Sequence, residues 1–257
     1  MYDGPLSRSS LEEALAPYGL RVRGGLIPQT SDGLPLLPES RGAAVIWMVG
    51  QVGSECWKAF SSSSFFADGQ PDPMDRWSKS IGNALALQWG GIALYPSDGP
   101  PYFPFQQWAE RAAPVRVSPL MLQIDPEYGL WHAYRFALLL PAMHGVDMQA
   151  LGKSAKLADS QAQAQAQAQA HTDADVDVDV DVCLACDGQP CLSACPVDAF
   201  AGATLEVAAC AAYLHSPKGI DCTQAGCQAR RACPVGTAFK YAPEHAKFHM
   251  AAFVDKH

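Results

Sequence analysis

The sequence predicts an α+β protein. A mixed helix-and-strand domain over residues 1–158 is joined by a low-complexity stretch, 159–182, to a cysteine-rich module, 183–257. Three observations carry that expectation. Helical and strand patterns interleave before residue 159, as they do when helices pack on a sheet. Residues 160–182 read SQAQAQAQAQAHTDADVDVDVDV, a low-complexity spacer whose Gln-Ala tract has no apolar stripe for docking. Eight of the nine cysteines then fall in the last 75 residues.

The elements follow in chain order. Ser10 reads as the cap of a helix starting at Leu11, with Glu12 and Glu13 in the first turn, where carboxylates suit the helix dipole, and Gly19 closing it. The apolar run 43–49 (AAVIWMV), ending at Gly50, predicts a buried strand. Asp72, Pro73 and Asp75 have the order of an N-cap, an N1 proline and an N3 acid. The helix they open places Met74, Trp77, Ile81, Leu85 and Leu87 as its apolar residues and stops near Gly90-Gly91. A strand is expected over 92–95, and a helix over 104–113 with Phe105, Trp108 and Ala112 on one face. Strands over 120–124 and 132–140 flank the turn-rich Asp125-Pro126-Glu127-Tyr128-Gly129. A last helix over 244–254 carries His245 and His249 at i and i+4. With no Glu-x-x-His context, these read as a packing face beside Phe248 and Phe253 rather than as a metal pair.

Bulk properties narrow the function classes. No apolar run approaches the roughly 18–20 residues of a membrane span, and the N-terminal sequence lacks the basic-then-apolar order of a secretory signal. The expectation is a cytoplasmic protein without a membrane partner, in which cysteines stay reduced and a dense cluster of them signals a metal site rather than disulfides. The net charge of −8 is local, because residues 159–182 hold six Asp and no Lys or Arg. No basic stripe suggests nucleic acid. The alternating Asp-Val tract reads as a solvated spacer, since Asp residues on one face repel each other and Asp is disfavoured in strands. A docking tail for a basic electron-transfer partner is the lesser alternative.

The cysteines form two groups, Cys183-x2-Cys186-x4-Cys191-x3-Cys195-Pro196 and Cys210-x11-Cys222-x4-Cys227-x5-Cys233-Pro234. Thiolate sulfur is a soft ligand that suits iron–sulfur clusters, zinc or Cu(I). A 4Fe–4S cluster takes four Cys, and the bacterial two-cluster run ends in Cys-Pro, its last Cys reaching the other cluster. Eight thiolates thus match two 4Fe–4S clusters. By analogy with that crossover, Cys183, Cys186, Cys191 and Cys233 hold one, while Cys195, Cys210, Cys222 and Cys227 hold the other. Both groups place four residues between their second and third Cys, where the ferredoxin run has two. Two structural zinc sites are the competing reading. Cys56, beside Trp57, reads as an ordinary core thiol.

The Cys-x2-Cys…Cys-x3-Cys-Pro order, Cys210-Ala211-Ala212-Tyr213-Leu214 and the closing Gly226-Cys227…Cys233-Pro234 resemble the C-terminal part of epoxyqueuosine reductases and corrinoid-dependent reductive dehalogenases. An N-terminal echo of that group and of cobalamin-processing proteins lies in Asp72-Pro73-Met74-Asp75. A second lies in Asp125-Pro126-Glu127-Tyr128-Gly129-Leu130-Trp131-His132-Ala133-Tyr134-Arg135, followed by Leu138-Leu139-Leu140-Pro141. The resemblance implies a nitroreductase-like α+β sandwich, a ferredoxin-like two-cluster module, a cobalamin cofactor and corrinoid-linked reductase activity fed by an electron donor or acceptor protein. Tyr128, Trp131, His132, Tyr134 and Arg135 are the candidate corrin wall, since a flat corrin needs apolar and aromatic walls plus polar groups for its amides. The alternative is an amphipathic strand with Trp131, Ala133 and Arg135 on one side and His132, Tyr134 and Phe136 on the other. No acid matches a reductase proton donor, and no Asp-x-His-x-x-Gly corrinoid motif is present. The expected function is single-electron transfer through two clusters to a corrinoid or substrate. A stand-alone electron carrier and a zinc-stapled interaction module are the alternatives.

Overall fold

Capping chemistry sets the first element of the computed structural model, which describes residues 7–141, 151, 181–201 and 204–257. Ser7, three residues ahead of the expected cap, opens α1 (Arg8–Leu15): its Oγ accepts the Ser10 N–H at 3.1 Å, and Ser10 Oγ accepts the Ser7 N–H at 2.8 Å. The two serines form a reciprocal capping box, and this moves the start of the helix. Gly19 then stops the chain in the left-handed region at φ 62°, after a 3₁₀ turn.

The structure is mixed helix and sheet. β1 (Arg21–Leu26), β2 (Val45–Val52), β3 (Ile92–Leu94) and β6 (His132–Leu140) form one four-stranded sheet in the order β1-β2-β6-β3. β1 runs antiparallel to β2, and β3 antiparallel to β6. Gly50 lets β2 approach β6 closely, because a Cβ there would lie 2.1 Å from the Ala133 carbonyl oxygen. All eight residues of β2 are buried, as are residues 136–140 of β6, so strict inside–outside alternation does not hold along most of these strands. Both faces of a covered central strand take apolar side chains.

α4 (Pro73–Gln88) packs on β3, while α1 and α5 (Phe105–Ala112) pack on β1. Asp72 occupies the cap position of α4, but at φ 49° and without a side-chain capping bond. Met74, Trp77, Ile81 and Leu85 form the buried stripe, whereas Leu87 is 86% exposed. Leu87 sits two residues beyond Leu85, about 200° around the helix and off the i, i+4 row. Two short helices, α2 (Trp57–Ser61) and α3 (Ser64–Ala67), bring Phe66 edge to face with Trp57 and Phe60. A buried Asp32 carboxylate accepts from Trp108 Nε1 at 2.9 Å and from Arg111 at 2.6 Å, tying α5 to the loop after β1.

The expected strand over 120–124 shrinks to β5 (Gln123–Ile124), paired with β4 (Arg116–Val117). The start of the run is taken by a turn in which Met121 N–H bonds the Ser118 carbonyl, with Met121 at φ 57°, where an extended strand cannot continue.

Two compact units emerge, and neither is a continuous stretch. Among the described residues the first takes 7–51, 55–113, 133–141 and 151. The second takes 52–54, 114–132 and the cysteine-bearing 181–201 and 204–257. The sequence-based division at 158 and 183 keeps 114–132 with the N-terminal part, whereas the chain packs it with the cysteines. The Gln-Ala tract and nearly all of the Asp-Val tract lie outside the described residues. No helix among the described residues is long and apolar enough to cross a membrane.

Candidate metal centre in the cysteine-rich unit

Short helices and turns present the eight thiols. Cys191 lies in the helix Pro190–Ser193, Cys210 in Val207–Leu214 and Cys222 in Ile220–Ala225. Cys227 caps Gln228–Ala232 after Gly226, whose φ of 90° ends the preceding helix. The two Cys-Pro-Val elements share a local shape. The third residue after each Cys turns left-handed, Asp198 at φ 48° and Gly236 at φ 68°. Glycine is required at 236, because a Cβ there would sit 2.2 Å from the Tyr128 carbonyl carbon.

That contact shows what holds the site. Asp125 Oδ1 accepts the N–H groups of Glu127 and Tyr128 at 2.9 and 3.1 Å, closing the turn that brings Gly129 against Val235. Leu120, Ile124 and Leu130 then form a buried core with Ala229 and Cys233. Cys183, Cys191, Cys195 and Cys227 pack around it. The apolar floor of the cysteine site is therefore supplied largely from 114–132.

Electrostatics divides the thiols into two sets. Burial pushes Cys183 up to about 11, and Asp181 and the thiols of Cys233, Cys191 and Cys186 push it the same way. Burial also raises Cys191 and Cys233. Cys233 and Cys186 act on the former and Cys186 on the latter, opposed by the N–H groups of Leu192 and Val235. In the second set burial pushes Cys210 up to about 11, with Cys227, Cys195 and Cys222 adding to it. Cys222 and Cys227 are raised mainly by burial. Cys227 acts on Cys222, and Cys195 on Cys227, against the N–H groups of Gln228, Ala229 and Arg230. Each named thiol–thiol influence stays within Cys183, Cys186, Cys191 and Cys233 or within Cys195, Cys210, Cys222 and Cys227. Among the described residues no three His, Cys, Asp or Glu side chains converge closely enough to hold a single metal ion. Thiolate sulfur is a soft donor, and the eight thiols, several of them faced by backbone N–H groups, are of the donor type a 4Fe–4S cluster takes.

The candidate corrin wall is split between the units. Tyr128, Trp131 and His132 belong to the second, Tyr134 and Arg135 to the first. Trp131 is buried edge-on to Tyr241, with the Arg230 guanidinium 4.6 Å from its ring centroid. Tyr128 packs edge-on to Phe239. His132 is buried, with Nε2 3.1 Å from the Gln123 carbonyl oxygen. Arg135 Nε donates to Gln51 Oε1 at 2.7 Å, and the Cys56 thiol donates to the same oxygen at 3.0 Å. Tyr128, Trp131, His132 and Arg135 each have these partners within their own units.

Arg230 and the histidine pair were not flagged by sequence as belonging together. His245 is buried, stacks on Tyr241 at 4.2 Å, and faces Ser54 through Nδ1 and His249 through Nε2, each at 3.0 Å. The Tyr241 ring carries Arg230 at 4.5 Å. No protein-family model matches the chain, and neither does any curated protein.

Proposed function

We propose that the second unit carries two 4Fe–4S clusters and that the protein passes single electrons between a donor and an acceptor protein or substrate. What supports this reading is the set of eight thiols in one unit, whose mutual electrostatic influences link Cys233 with the first group and Cys195 with the second. That exchange is the crossover of a two-cluster ferredoxin run. When bound, each cluster supplies a one-electron couple. The chain's residues bind it through four thiolates, direct N–H groups at the sulfurs, and screen it from water with Leu120, Ile124 and Leu130.

A corrinoid acceptor is the second reading, disfavoured because Tyr128, Trp131 and Arg135 already pack on or bond to side chains of their own units. Titration with cob(II)alamin is therefore expected to give no spectral shift. A shift abolished by Trp131→Ala would restore a corrinoid-linked reductase.

The main test is anaerobic purification followed by iron, sulfide and absorbance near 400 nm. About eight irons per chain are expected. Cys233→Ala should abolish one cluster and Cys210→Ala the other, so the double variant should hold none. A colourless protein with two zinc ions would replace this reading with a structural zinc module.

A further inference from the structure

We propose that Arg230 sets the two clusters apart in potential, so that the first electron entering the chain rests on the cluster of Cys195, Cys210, Cys222 and Cys227. The inference rests on the two-cluster reading and deepens it. Reducing a 4Fe–4S cluster from 2+ to 1+ adds one negative charge, so fixed positive charge and N–H donors near the sulfurs raise its potential. Arg230 supplies both. Its backbone N–H, with that of Ala229, points to the Cys227 sulfur. Its guanidinium is held in place by donating through Nε to the Leu130 carbonyl at 3.2 Å and, through Nη2, to the same oxygen. The rings of Trp131 and Tyr241, at 4.6 and 4.5 Å, hold it further. An arginine stays charged at every pH the protein meets. Ala199 adds an N–H at 3.3 Å from the Cys195 sulfur. The other nearby charges of this quartet, Arg231 and Asp221, are paired with each other and largely cancel.

The first quartet has the opposite bias. The Asp181 carboxylate accepts the N–H groups of Cys183 and Leu184 at 2.9 and 3.2 Å. It brings negative charge beside Cys183 and occupies two N–H groups at the start of the loop. Lys240 opposes it, but is exposed and screened by water. The quartets thus differ by a held cation on one side and a held anion on the other.

The test is a dithionite redox titration of the anaerobically reconstituted full chain, followed by EPR. Two one-electron waves are expected, the more positive being the one altered by Cys210→Ser. Arg230→Gln should lower that wave. A tenfold smaller ratio of reduced to oxidised cluster at the wild-type midpoint corresponds to about 59 mV for a one-electron couple. Arg230→Lys, which keeps the charge, should recover part of the loss. Asp181→Asn should raise the other wave and narrow the gap. If Arg230→Gln does not retain iron, the Lys and Asn variants decide by the same readout. The proposal is overturned if the more positive wave belongs to the Cys183 quartet, or if neither charge change moves its own wave. A chain that binds no iron and sulfide overturns the two-cluster reading itself.

Discussion

At the residue scale, a thiol's burial decides its chemistry. Cys56 is fully buried, its Sγ–H donates to Gln51 Oε1, and burial pushes its pKa up to about 11, more than the partly compensating charge of Arg135 lowers it. An unfolded thiol ionises near 8.5. The folded state therefore holds the Cys56 proton more tightly than the unfolded one, and this stability is complete below about pH 8.5. It is lost as pH rises toward about 11, and the span is worth about 3 kcal/mol. Cys56→Ala should show a flatter fall of unfolding free energy over that window than the wild type, by denaturant titration at pH 7, 9 and 10.5. Identical slopes would mean that Cys56 ionises at the same pH folded and unfolded. Iodoacetamide at pH 8 is likewise expected to leave Cys56 unmodified in the folded chain.

At the element scale, the Cys-Pro-Val turns show why a near-repeat differs where it does. Asp198 and Gly236 both turn left-handed, and at 236 backbone from 128–129 presses against the position. Gly236→Ala should destabilise the second unit by roughly 2–4 kcal/mol, combining positive-φ strain with a steric overlap that backbone cannot cheaply relieve. Asp198→Gly should change stability little, and thermal melts of the two variants check the contrast. A Gly236→Ala melt equal to wild type would mean that the 128–129 turn yields. Much of the helix and strand order was legible because α4 and β2 carry long apolar patterns that dominate local choice. The Met74, Trp77, Ile81, Leu85 stripe and the 45–49 run are both buried. The exceptions have local causes. Ser7 outcompetes Ser10 as a cap through a reciprocal bond pair, and a turn over 118–121 with Met121 at φ 57° cuts short the 120–124 run. The order of the eight cysteines and the two Cys-Pro steps were legible, and the ferredoxin crossover supplied the proposed quartets by analogy. Arg230 was not legible, because its partners Leu130, Trp131 and Tyr241 are brought to it only by tertiary packing.

At the scale of the whole molecule, the chain's division into units makes the cysteine-rich tail dependent on an insert from the middle of the sequence. Leu120, Ile124 and Leu130 are each no more than 3% exposed, in a core they share with Ala229 and Cys233. Burying such a side chain contributes about 1.5–3 kcal/mol, so the three together supply roughly 5–9 kcal/mol. That is comparable with the entire stability of a small domain, about 5–15 kcal/mol. Residues 181–257 expressed alone would expose this floor and leave the Arg230 guanidinium without the Leu130 carbonyl. The isolated segment is expected to aggregate or to lose its iron on gel filtration after reconstitution, whereas the full chain keeps it. Ile124→Asp in the full chain should reproduce the loss, because a carboxylate buried beside Cys233 must be desolvated and also opposes the charge of four thiolates. An isolated 181–257 that retains eight irons through gel filtration would show that the thiol quartets need no floor from 114–132, and that the clusters alone organise the tail.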